Sequence, residues 1–338
     1  MSSKIADTLY PVVELKPISQ SFNEVNLTTG SAVSYTGSGV VVGSVTITGL
    51  TDGTTYHWRA RVSSINGNSL WASFGGNQET EPDFGCDLSS PTVSLTSPLN
   101  GSATSQLNVN FQWTGTDYPL SANSGIKQYT LQISTDSGFG VINYSSVTIF
   151  QSCNLLIFQS TFYWRIRGED NVGNIGNWSA IFSVIVDTTA PPQVQVLNQP
   201  LNNLTTNQMT LTFSWTGVSD SPAGVRNYIL QISTDASFGV INYSSQTVNT
   251  QAAMTLNQSS YSWRVNVLDN ALNYTTSTVR YSVVVDTTVP PQVQVLNQPL
   301  NNLTTNQMTL TFNWTGVSDS PAGVRNYILQ ISTDASFG

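Results

Sequence analysis

Four aspartates in this 338-residue chain stand where a cation could be held. Asp187 and Asp286 each close an apolar run and precede a Pro-containing stretch, while Asp170 and Asp269 sit in the turns that follow YWRIRGE and SWRVNVL. Carboxylates gathered where one folded unit gives way to the next can ligate calcium, which takes six to eight oxygens. Turn aspartates also bond their own backbone, the simpler role. No DxDxDG-like cluster adds further acids, so calcium at Asp170, Asp187, Asp269 and Asp286 is a candidate and no other cofactor is suggested.

Little else suggests reactive chemistry. The only histidine, His57, lies between Tyr56 and Trp58, and there is no GxSxG, HExxH, phosphate-loop motif or paired-acid constellation. The chain is therefore expected not to be an enzyme. Cys86 and Cys153 fit no metal-ligand spacing. A disulfide between them at one end of a domain is one reading and free thiols are the other, with Ala252 replacing Cys153 in the next repeat. Arg59 and Arg61 alternate with Trp58, and Trp71 follows on the next predicted strand; Arg165, Arg167 and Trp178 repeat that set. In the following copy Asn266 and Ser277 replace the second Arg and the Trp together. Joint retention predicts guanidinium groups stacked on the indole, worth about 0.5–1 kcal/mol per exposed contact. An aromatic patch for glycans at Trp71 and Trp178 is the functional alternative. Ten Asn-x-Ser/Thr triplets permit glycosylation without showing it.

These residues are positioned by short strands. MTLTFSW puts Leu211, Phe213 and Trp215 on one face; NYILQIS does so for Tyr228, Leu230 and Ile232, and YSWRVNV for Tyr261, Trp263, Val265 and Val267. Residues 191–239 and 290–338 are the same 49 residues except for Ser214 against Asn313, and a looser copy precedes them. A period near 100 residues exceeds solenoid repeats and matches one β-sandwich domain. Expected domains are 1–85 (the C-terminal part of a sandwich), 88–187, 188–286 and 287–338 (the first half of another), so both end domains read as incomplete pieces of a longer frame.

The order of signatures resembles tandem fibronectin type III-like and Ig-like β-sandwich repeats of prokaryotic surface or secreted proteins. The matching residues are FQW, FSW and FNW, then YxLQISTD, then YHWRARV, YWRIRG and SWRVNV, with DTTAPP or DTTVPP between units. Leu50 and Tyr56 resemble the tyrosine corner of such sandwiches, shortened to Leu256–Tyr261 and replaced by Phe162 in the middle unit. The Trp–Arg set resembles the ladder of cytokine-receptor sandwiches. The resemblance implies an all-β string of antiparallel sandwiches, extracellular or on the cell surface, acting as a monomeric rod-like spacer or adhesion stalk toward other surface proteins or glycans. The alternative it implies is a set of accessory domains, spacer or carbohydrate-binding, of a secreted glycan-degrading enzyme. No signal peptide is visible in this chain. Composition excludes other classes: eleven Lys and Arg cannot build a phosphate-binding surface, and no run of 18 apolar residues spans a bilayer. The net charge of −8 is spread without blocks.

Overall fold

The computed structural model describes residues 6–119, 121–334 and 336–337. Among them the structure is β-strand and loop, apart from one 3-10 turn at Phe74–Gly76, and no helix is long and apolar enough to cross a membrane. The chain divides into two compact units, one built from residues up to Ser102 with Asn108–Val184, the other from Ala103–Leu107 with Ile185 onward.

In the first unit, Asp7–Pro17 pairs antiparallel with Thr54–Ser64, from Tyr10 opposite Ser63 to Pro17 opposite Tyr56. Phe84–Cys86 and Ala72–Ser73 pair with the other edge of Thr54–Ser64. The same unit holds a sandwich. One sheet orders Ser152–Leu156, Asn108–Thr116 and Thr92–Ser97; the facing sheet orders Tyr144–Thr148, Ile126–Ser134, Ser160–Asp170 and Phe182–Val186. Period-two alternation drives the pairing: Val109, Phe111 and Trp113 bury toward Tyr129, Leu131 and Ile133 and toward Phe162, Trp164 and Ile166. Phe111 meets Trp164 edge-on at 5.1 Å. Each large side chain so buried contributes about 1.5–3 kcal/mol.

The second unit repeats the plan. Leu197–Gln199, Thr210–Trp215 and Gln251–Thr255 form one sheet; Tyr281–Val285, Ser259–Asp269, Val225–Ser233 and Tyr243–Thr247 follow one another in the other. Leu211, Phe213 and Trp215 face the core, and Ser214 lies half-buried on the opposite face. Phe213 meets Trp263 at 5.1 Å. Tyrosine-corner bonds form where tyrosine is present: Tyr56 Oη accepts from Thr51 N at 2.8 Å, and Tyr261 Oη donates to Asn257 O at 3.1 Å. Phe162 packs instead on Phe158 at 5.0 Å.

Residues 290–338 carry the sequence of 191–239 but little of its structure. Leu296–Gln298 and Asn313–Trp314 are the strands described there. Leu329 is 49% exposed and Ile331 68%, whereas their counterparts Leu230 and Ile232 are fully buried. The reason is partnership: Thr210–Trp215 pairs with Gln251–Thr255, and Val225–Ser233 with Ser259–Asp269, and residues 287–338 hold no counterpart of either partner.

Candidate functional site

The loops at one end of each complete sandwich bring three carboxylates together. In the first unit, Asp170 caps the turn after its strand: Oδ1 accepts from the N–H groups of Val172, Gly173 and Asn174, and Oδ2 from Asn174 Nδ2 at 2.8 Å. Asn174 Nδ2 also donates to the carbonyls of Asp87 and Ser89, at 3.1 and 3.2 Å, and Asp87 Oδ2 accepts from Ser124 N. Asp117, only 7% exposed, takes Tyr118 N at its Oδ1. Oxygens of Asp87, Asp117 and Asp170 then lie within 4.8 Å of one another.

The second unit rebuilds the set. Asp269 accepts from Asn273 N and Nδ2, both at 2.7 Å, and Asn273 Nδ2 donates to Asp187 O at 2.8 Å. Asp187 accepts from Thr189 at Oδ1 and from Ala223 N at Oδ2, and Asp220 completes a group again within 4.8 Å. Each set contains one buried carboxylate oxygen without a hydrogen-bond partner, Asp117 Oδ2 and Asp220 Oδ2, and Ser124 Oγ is likewise buried and unpartnered. Among the described residues no lysine or arginine forms an ion pair with any of these six acids.

Electrostatics follow from that crowding. Burial and the neighbouring charge of Asp87, then that of Asp170, push the Asp117 carboxyl above the usual carboxylate range against the pull of the Gly125 and Tyr118 N–H groups. Burial, Asp187 and Asp269 do the same to Asp220. Burial also opposes ionisation of Asp187, but the Thr189 hydroxyl and the N–H groups of Ala223 and Thr189 outweigh it and hold its carboxyl low.

The structure thus groups Asp187 with Asp269 and places Asp170 in an equivalent set. Asp286 stands apart from both sets. It bonds Thr288 and, at 2.9 Å, Ala322 N, but joins no group of three acids among the described residues. Sequence reasoning missed Asp87, Asp117 and Asp220. The signal for the last two is the Asp placed two residues before a proline in TDYP and SDSP, once per repeat.

Arg59 and Arg61 lie over Trp71 at 4.6 and 4.2 Å, and Arg165 and Arg167 over Trp178 at 4.3 and 4.6 Å. Phe139 covers the other side of Arg165 at 4.1 Å, a partner the sequence did not suggest, from a backbone at φ 57°. Where Ser277 replaces the indole, Asn266 bonds Gln231 Oε1, Tyr274 Oη and Ser277 N, while Arg264 lies over Phe238 and donates to Gln231 Oε1 at 2.9 Å. Trp71 and Trp178 are half-buried beneath these cations. The disulfide considered between Cys86 and Cys153 does not form; both thiols are free. They sit on separate sheets, Cys86 opposite Thr54 and Cys153 opposite Phe111. His57 is 2% exposed, stacked on Phe22 at 4.2 Å, with Nε2 on the carbonyl of Gln20 at 2.8 Å, a packing role.

Each complete sandwich sets a three-stranded sheet against a larger one, with several connections crossing between the two. The chain is a tandem array of antiparallel β-sandwiches. No family model matches these modules, and no curated protein matches them. Among solved structures, the fibronectin(III)-like modules of CbhA from Clostridium thermocellum are 15% identical, covering 57% of this chain and 94% of that one, with a TM-score of 0.37. The FN1–FN3 domains of chicken CNTN1 are 11% identical, covering 82% of this chain and 90% of that one, with a TM-score of 0.41.

Proposed function

We propose that these modules form a non-catalytic spacer in a surface or secreted protein, an adhesion stalk that carries another module to its target. One observation carries the reading: successive repeats fasten their connector in the same way. Asp187 Oδ2 accepts from Ala223 N and Asp286 Oδ2 from Ala322 N, both at 2.9 Å and both within the second unit, so the same connector residue is bonded to the same loop in both copies. A main-chain bond repeated at both connectors suits a part whose work is to hold a spacing. The cores support the same role, filled by Trp, Phe and Ile.

The test is protease treatment of intact source cells, followed by blotting with an antibody raised against residues 88–286. Loss of the band on treatment is the expected result. A band protected until the cells are lysed would overturn the surface assignment. A glycan-degrading activity carried by the same parent polypeptide would move the modules to the accessory role.

A further inference from the structure

We infer that each complete sandwich binds one calcium ion, at Asp87, Asp117 and Asp170 in the first unit and at Asp187, Asp220 and Asp269 in the second. The inference is independent of the spacer role, since it rests on the loops of single sandwiches.

Three observations converge on a cation. First, every group in each set is a carboxylate, the hard oxygen donor that selects calcium, magnesium or manganese over softer metals. The oxygens lie within 4.8 Å of one another, a span that one ion with bonds of about 2.3–2.6 Å can bridge. Second, Asp117 Oδ2 and Asp220 Oδ2 are buried without a partner, and the Asp117 side chain is more than nine-tenths enclosed. Buried polar atoms are nearly always satisfied, and an ionised oxygen left alone is the costliest exception. The same orphan recurs at the same place in two sandwiches whose surrounding loops differ, TGTDYPLSANSG against TGVSDSPAGV. Third, the other two acids of each set are aimed by their hydrogen bonds. The turn N–H groups and Asn174 or Asn273 fix Asp170 and Asp269; Ser124 N or Ala223 N fixes Asp87 or Asp187. A carboxylate oxygen that accepts one hydrogen bond keeps a second lone pair for an ion. With Asp170 Oδ1 saturated by three N–H groups and Asp187 Oδ1 by two bonds from Thr189, each set supplies up to five oxygens, and Ser124 Oγ, buried and unpartnered, is a further donor in the first set.

Calcium fits better than magnesium. Magnesium demands a near-ideal octahedron and keeps its waters, whereas calcium accepts irregular sets of protein oxygens. Binding would pin the connector residue, Asp87 or Asp187, to both loops beside it.

The experiment uses the whole 338-residue chain, stripped with a chelator and dialysed against calcium chloride or magnesium chloride, with bound metal counted and melting followed. Two calcium ions per chain are expected, with melting raised by about 5–10 °C at a hundredfold excess over Kd. Asp117→Asn and Asp220→Asn should each remove one ion and leave the other, so that the remaining ion reports folding in each variant. In chelator both variants should melt no lower than the parent, because each removes an unpartnered charge. Failure to bind calcium at about 10 mM, above the weakest extracellular affinities, would overturn the inference. So would two ions retained in both variants. Magnesium binding as tight as calcium would overturn the choice of metal.

Discussion

Glu14 has no solvent exposure, yet it is charged and satisfied. Burial works against its ionisation, but Asn23 N, the Arg59 guanidinium and Glu24 N outweigh that penalty and hold its carboxyl below the usual glutamate range. Arg59 approaches to 2.6 Å, and Lys16 stands 3.8 Å away. A depressed carboxylate stabilises the fold above its unfolded pKa, and that stabilisation is lost as pH falls through the folded value. The N-terminal sheet should therefore loosen as pH drops below the ordinary glutamate range, reported by the fluorescence of Trp58 and Trp71. Glu14→Gln should cost about 2–3 kcal/mol at neutral pH in denaturant unfolding, because it strands the guanidinium of Arg59. No measurable loss would mean the pair is offset by its own desolvation. At the other ladder, Trp178→Ala should cost about 1–2 kcal/mol, two guanidinium contacts of about 0.5–1 kcal/mol each. The 188–286 sandwich, which has Ser277 at that position, offers the internal comparison.

Strand formation can be weighed with the composition held constant, because MTLTFSW and MTLTFNW occur in one chain. The first is a strand from Thr210 to Trp215; the second keeps only Asn313–Trp314. Propensity and alternation are equal, so the difference comes from the partner strand that Gln251–Thr255 supplies to one copy alone. Hydrogen exchange should show it. Peptides containing Ser214 should be protected by orders of magnitude over those containing Asn313, and shared peptides such as NYILQIS should exchange in two populations. Uniform protection of both would mean that residues 290–338 find a partner. The same logic explains what was legible in the sequence. Alternation gave the faces of Leu211, Phe213 and Trp215, and the paired loss of Arg and Trp gave the ladders. Both are patterns within one strand or between neighbours. The carboxylate sets were only half legible, because Asp117 stands 30 residues after Asp87 and 53 before Asp170, and only the closed sandwich brings loops so separated to one point. Phe139 escaped for a related reason: nothing in its local letters says that a φ of 57° turns its ring onto Arg165.

At the scale of the whole molecule, near-identity between repeats has a consequence for assembly. Residues 290–338 present Leu310, Leu329 and Ile331 to solvent, and the identical letters at 191–239 are what Gln251–Thr255 and Ser259–Asp269 bind in the native pairing. Only Ser214 against Asn313 separates the two competitors, and that residue lies off the core face, so the pairing energies are nearly degenerate. The segment adjacent in the chain is held apart from its rival by order of connection and not by chemistry. Between two chains that ordering gives no protection, and identical neighbours are prone to exchange strands during refolding. Refolding from denaturant should therefore yield a dimer fraction that grows with protein concentration, read by size-exclusion chromatography. A chain ending at Asp286 lacks the second copy and should refold as monomer over the same range. An equal dimer fraction from the shortened chain would locate the association elsewhere. Added calcium should lower the dimer yield from the full chain, because the ion joins Asp187 and Asp220, on the native side of the competition, to Asp269, whereas the rival copy must first bring in Asp286 and Asp319.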